Sequence, residues 1–209
     1  MHVTFYYVRH GQTKFNVVRR VQGTCDSPLT EQGIKDAEKA RDALSSIHFD
    51  KAFSSSSERA VDTAAIVLEG HDIAAVPLKG LKEFDFGDLD GCLIDEVREQ
   101  LDSHRHPDDF SDLGGDSTES INKRIYETFD YIISKCNDND TVLIASHGSI
   151  GLHLLEALFG IDCDEYKEQQ RQAHPERFAI PNGGIMKFEY TDGVWQVDCL
   201  PCEPDEYSE

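Results

Sequence analysis

Val8-Arg9-His10-Gly11 follows a β-rich run at residues 3–8, so an arginine and a histidine stand where a strand gives way to a loop. The two side chains suit phosphate chemistry. Neutral imidazole attacks phosphorus as a nucleophile, and guanidinium grips two phosphoryl oxygens at once. A matching feature lies far down the chain at Leu143-Ile144-Ala145-Ser146-His147-Gly148, again a strand-like run ending in His-Gly. In α/β sheets, ligands bind outside the carboxyl ends of strands. If these two strands are neighbours, His10 and His147 converge on one crevice.

The elements that must position them alternate between strand and helix patterns. Residues 3–8, 51–54, 73–78 and 141–145 read as strands, and residues 185–190 and 194–199 flank Thr191-Asp192-Gly193 as a hairpin. Thr30 is placed to cap a helix with Ile34, Ala37, Ala40, Arg41 and Leu44 on its inner face. Residues 58–68 carry Ala60, Val61, Ala64, Ala65 and Leu68 at helical spacing. Asp116, with Glu119 three residues on, suggests a cap for a helix facing inward through Ile121, Ile125, Phe129, Ile132 and Ile133. Ile150, Leu154, Leu155, Leu158 and Phe159 form a last apolar face that ends at Gly160. This alternation predicts an α/β fold: three layers, α/β/α, with a mostly parallel central sheet closed by a C-terminal antiparallel hairpin. No repeat or composition break divides the chain, so residues 1–209 are expected to form a single domain.

The formal net charge is −20, from 40 acidic and 20 basic residues. Such a field repels nucleic acid and anionic membranes, and neither is an expected partner. A site for an anionic substrate must be locally positive against it. Residues 203–209 form an acidic tail, expected to fray. The six cysteines lack zinc-like spacing; only Cys199-Leu200-Pro201-Cys202 is close-set, so free thiols in a reducing cytoplasm are expected. Residues 1–4 hold no basic n-region, so no signal peptide is expected, and no apolar run approaches the roughly 20 residues that cross a bilayer. Neither a GxGxxG nor a GxxxxGK[ST] pattern is present, leaving dinucleotide and P-loop readings unsupported.

A series of ordered blocks together resembles one family. Val8-Arg9-His10-Gly11-Gln12-Thr13, followed by Asn16, resembles the signature of the histidine phosphatase superfamily, which includes the cofactor-dependent phosphoglycerate mutases. The similarity continues through Gln22-Gly23, residues 26–33, residues 54–60 with Thr63-Ala64, residues 81–87, Ser146-His147-Gly148 and Pro181-Asn182-Gly183, in the family's order. The resemblance implies that His10 is the nucleophile of a phosphohistidine intermediate, neutral at the attacking nitrogen and held at the other by a backbone acceptor. It places Arg9, Arg59 and His147 around the phosphoryl group. It makes Glu83 the group that protonates the leaving oxygen and later takes a proton from water, a role that needs a raised pKa. Asn16 and Gln22 would line the rim, and the backbone of Gly23 would approach the phosphate.

Glu-Phe-Asp-Phe-Gly-Asp-Leu-Asp-Gly, at residues 83–91, is close to the phosphatase form of this family, whereas glycolytic mutases carry Glu-Arg-His-Tyr-Gly there. The resemblance therefore implies a phosphatase of small phosphorylated metabolites. The alternatives are a 2,3-bisphosphoglycerate-dependent phosphoglycerate mutase and, from another class, an idle phospho-ligand binding module. No metal and no cofactor are expected, beyond 2,3-bisphosphoglycerate as primer for a mutase. His104-Arg105-His106 reads as an exposed loop, with contact to substrate as the alternative, inside one of two segments, residues 92–115 and 162–181, that are polar and irregular in pattern and are candidate lids. Their acidity predicts acidic pocket walls that favour monophosphates over bisphosphates. An exposed strand edge could pair two copies into a homodimer.

Overall fold

The computed structural model describes residues 1–105 and 108–208. In chain order the elements are β1 (His2–Arg9), α1 (Lys14–Val17), α2 (Glu31–Ala43), β2 (Lys51–Ser55), α3 (Glu58–Val67), β3 (Val76–Leu78), α4 (Ile94–Ser103), α5 (Thr118–Ile133), β4 (Asp140–Ser146), α6 (Gly148–Phe159), α7 (Cys163–Ala173), β5 (Ile185–Thr191) and β6 (Val194–Cys202). The sheet runs β3-β2-β4-β1-β5-β6. The first four strands in that order are mutually parallel, and β5 and β6 are antiparallel additions.

Alternation along β1 builds two cores. Val3, Phe5 and Tyr7 point to one face of the sheet, where they join Ile121, Ile125 and Phe129 of α5 and Ile150, Leu154 and Leu155 of α6. Tyr6 and Val8 point to the other, with Ala40 of α2 and Val67 of α3. Helices on both faces make the three layers that the sequence pattern predicts.

Pairing of β1 with β4 is the feature that makes the site. Arg9 lies opposite Ser146, so His10 and His147 leave adjacent strands at the same level. The pairing extends one step further, with the His10 N–H donating to the Ser146 carbonyl at 2.9 Å. From these two strands the chain departs to opposite sides of the sheet, through α2 below β1 and through α6 on the other face. A crevice opens between such divergent connections.

Several local expectations shift. Thr30 caps α2 as predicted, its hydroxyl accepting from the Gly33 N–H. Ile34, however, is exposed; the inner face is Gly33, Ala37, Ala40 and Leu44. Gly33 packs so closely that a Cβ there would lie 2.0 Å from the Gln12 carbonyl oxygen. The cap of α5 is Ser117 in a capping box with Ser120, not Asp116. The strand expected at residues 73–78 is confined to Val76–Leu78. The segments 92–115 and 162–181 are not irregular, since they hold α4 and α7. The acidic end is tied down as far as it is described. Arg177 pairs with Glu203 and Glu206 at 3.2 Å, Lys39 pairs with Asp205 at 2.7 Å, and Tyr207 meets the ring of Tyr6 edge-on.

Candidate active site

His10 follows β1 and is almost wholly buried. Its Nδ1 lies 2.8 Å from the carbonyl of Gly11, an obligate acceptor, so Nδ1 carries the proton and Nε2 keeps its lone pair. The backbone under it is fixed as well. The Asn182 side-chain amide donates to the His10 carbonyl at 3.1 Å, and the Gly183 N–H donates to the Arg9 carbonyl at 3.1 Å.

His147 caps α6 and has no exposed surface. Arg59 Nε donates to its Nδ1 at 3.1 Å, which leaves the proton on Nε2, 2.7 Å from Ser55 Oγ. The Tyr7 hydroxyl, at the end of β1, donates to the His147 carbonyl at 2.6 Å and receives its N–H at 3.1 Å. The two imidazole rings stand 5.2 Å apart, nearly edge to face. Burial holds both well below the ordinary histidine range, and the Arg59 and Arg9 guanidinium charges push the same way.

Arg59 is entirely buried on α3. Besides His147 it serves the loop before α2, donating to Cys25 O, Asp26 Oδ1 and Gly23 O, each at 2.9 Å. Arg9 is clamped differently. One amino group donates to the Ile180 carbonyl, the guanidinium lies 4.5 Å from the ring centre of Phe178, and a Cβ on Gly148 would come within 3.2 Å of its Nε. Burial brings its pKa down to about 10, and that Nε has no partner.

Glu83 sits over the start of α6. Its carboxylate accepts from the N–H groups of Phe84 at 2.9 Å, Ser149 at 3.0 Å and Ile150 at 2.8 Å. This anchors the group without using a side-chain cation.

A cavity of about 480 Å³ opens over this arrangement. Arg9, His10, Asn16, Gln22 and Glu83 all line it. Gln22 accepts from Thr13 Oγ1 at 2.7 Å, and its buried Nε2 is a donor with no partner. Asn16 closes the capping box of α1 with Thr13. The outer wall is apolar through Phe86, Ile94, Leu101, Leu152 and Phe178.

The chain matches the histidine phosphatase superfamily (branch 1) over residues 5–202. It belongs to that superfamily. It is 35% identical over 153 residues to a 2,3-bisphosphoglycerate-dependent phosphoglycerate mutase of Parvibaculum lavamentivorans, covering 68% of this chain and 73% of the relative. It is 30% identical over 174 residues to phosphoserine phosphatase 1 of Hydrogenobacter thermophilus, covering 78% of this chain and 80% of that one. Among solved structures, YhfR of Bacillus stearothermophilus superposes with a TM-score of 0.80 at 30% identity, over 94% of this chain and 96% of that one.

Within this superfamily member the predicted site residues divide into two tiers. Those on the cavity are Arg9, His10, Asn16, Gln22 and Glu83. Arg59 and His147 lie behind them, fully buried. Gly23 departs from expectation. It is not among the residues lining the cavity; its N–H donates to Asp90 Oδ1 at 2.9 Å, and a Cβ there would lie 2.4 Å from the Phe84 carbonyl oxygen, so close packing requires a glycine here. His104 is turned away, pairing with Asp112 at 3.1 Å and stacking on Phe110. His106 lies outside the described residues. Arg105, between the two histidines, does line the cavity.

The expected acidic walls are absent. Glu83 is the one acidic residue among those lining the cavity, against Arg9, Arg19, Arg20 and Arg105. Among the described residues no group of three or more His, Cys, Asp or Glu side chains could hold a metal ion, and no helix is long and apolar enough to cross a membrane. Sequence reasoning missed Tyr7, Ser55 and Phe178. All three act through contacts that strand and loop patterns do not announce.

Proposed function

We propose that this protein hydrolyses phosphomonoesters of small metabolites through a phosphohistidine intermediate on His10. The observation that carries the reading is a histidine held neutral, with its tautomer fixed by Gly11, sharing one cavity with the Arg9 guanidinium and the Glu83 carboxyl group, with Arg59 buried behind them. His10 Nε2 attacks phosphorus while the ester P–O bond breaks, and the leaving oxygen takes a proton from the Glu83 carboxyl. Water then gives its proton to the Glu83 carboxylate and attacks phosphorus, breaking the P–N bond and releasing phosphate. Arg9, Gln22 and Asn16 hold phosphoryl oxygens. Arg59 and His147 form the rear wall, where the Arg59 guanidinium, seated on the neutral His147 ring, supplies positive charge as negative charge builds up. That charge comes from side chains, so EDTA should leave turnover intact. The superfamily's mutases and phosphatases share this pocket chemistry. The relatives bear both names, and the phenylalanine-rich form of residues 83–91 favours water as acceptor here.

Incubation with p-nitrophenyl phosphate at mildly acidic pH, beside a His10→Ala control, tests the proposal. Release no faster than the control overturns it. Conversion of 3-phosphoglycerate to 2-phosphoglycerate that depends on 2,3-bisphosphoglycerate establishes the mutase instead, and binding without turnover in both assays establishes an idle module. Six free cysteines fit a cytoplasmic setting. A homodimer would use an exposed edge, β3 or β6, and light scattering of the purified chain reads it directly.

A further inference from the structure

A second cavity, of about 340 Å³, adjoins the first and shares Phe86, Arg105, Ser149, Leu152 and Ala179 with it. It runs between α6 and α7. Four basic residues line it, Arg105, Lys167, Arg171 and Arg177, against a single carboxylate, that of Asp108. Acidic residues outnumber basic ones 40 to 20 in the whole chain, so this chamber inverts the protein's own balance. Three of its cations are held by carboxylates outside it: Lys167 by Asp164 at 3.2 Å, Arg171 by Glu168, and Arg177 by Glu203 at 3.2 Å. Pairs of this kind at a solvent edge exchange partners at little cost.

A buried polar group points to a ligand independently. His153 is 5% exposed and lines the chamber, with its ring stacked on Phe84. Its Nε2 lies 3.4 Å from Asp108 Oδ2, and its Nδ1 has no hydrogen-bond partner. Arg177 Nε is likewise buried and unpartnered. Unsatisfied buried polar atoms are uncommon and call for a partner. Between this chamber and His10 the shared wall is apolar at Phe86 and Leu152.

We propose that the side chamber is an anion subsite for the far end of the substrate. The substrate class is then a phosphomonoester whose alcohol has an apolar body and ends in a carboxylate or second phosphate. Phosphoryl sits at His10, the body lies along Phe86 and Leu152, and the terminal anion meets Lys167, Arg171 and Arg177. This rests on the hydrolase reading above and reverses the preference for monophosphates over bisphosphates predicted from the acidity of residues 92–115 and 162–181.

A ladder of straight-chain alkyl phosphates tests it, each made as the terminal carboxylate and as its methyl ester. In the wild type, kcat/KM for acid over ester should exceed about tenfold once the chain reaches the chamber, as expected for gaining a charge-assisted contact. In Lys167→Gln/Arg171→Gln that ratio should fall towards one, while Lys167→Arg/Arg171→Lys should keep it. A ratio at or below one at every length, or the same ratio in the glutamine variant, overturns the proposal. If neither the ladder nor p-nitrophenyl phosphate is turned over, the hydrolase reading has failed separately. Calorimetric titration of His10→Ala protein with the same acid and ester pairs then decides the chamber, and equal affinity for both overturns it.

Discussion

Acidification should destabilise this fold through its two site histidines before it touches most carboxylates. Burial and the guanidinium charges of Arg59 and Arg9 hold His10 and His147 well below the usual range in the folded chain. In the unfolded chain both titrate near 6.5. Below that value the unfolded state takes up two protons that the native state refuses, so stability falls as pH drops and is recovered above it. Each histidine contributes a limiting slope of about 1.4 kcal/mol per pH unit, and integrating from pH 7.0 to 5.5 gives roughly 2.5 kcal/mol for the pair. That is a large share of the roughly 5–15 kcal/mol that holds a domain together. Urea unfolding of the wild type and of His10→Gln/His147→Gln, at intervals between pH 7.5 and 5.5, reads the effect. Carboxylates titrate in both proteins, so the difference in slope isolates the histidines. Equal slopes would refute the argument that the site keeps its imidazoles neutral.

Three further outcomes follow from the geometry. Arg59→Met keeps the bulk of the side chain but strands Asp26, two carbonyls and His147 Nδ1, and should lower unfolding stability by about 3–5 kcal/mol in urea titrations. A Cβ on Gly11 would lie 2.0 Å from the Gly33 carbonyl oxygen, so Gly11→Ala should cost at least about 1–3 kcal/mol by the same measurement. Glu83→Gln keeps one oxygen for the Phe84 and Ile150 N–H groups, loses the oxygen that accepts from Ser149 and removes the transferable proton, so kcat for an ester with a poor leaving group should fall about 10²–10⁴-fold in steady-state assays.

The sheet and the site core were legible because each strand of the central pair is a mainly apolar run that leads into His-Gly. What stayed hidden had specific causes. α4 buries only Leu101 fully, with Ile94 and Val97 partly covered, and α7 buries only Cys163 and Tyr166, so neither carries a strong apolar stripe. The inner face of α2 departs from the hydrophobic pattern because Gly33, which packs against backbone, counts as nothing in that pattern, whereas exposed Ile34 counts fully. The basic lining of the two cavities was invisible for another reason. Arg19, Arg20, Arg105, Lys167, Arg171 and Arg177 are scattered along a chain whose overall charge has the opposite sign, and only the fold collects them.

Because β1 lies between β4 and β5, the strand made first is completed by strands made much later. Arg9 finds its carbonyl partner at Ile180, and the backbone of His10 is held by Asn182, so the nucleophile is synthesised early and oriented late. Contacts of such long sequence separation form slowly and reward the chain only near the end of folding. A nascent or truncated chain ending before residue 180 therefore carries the reactive imidazole without its clamp. Phosphoryl transfer in this protein is a property of the finished chain, and its onset during refolding would time the docking of β5 and the loop that leads into it.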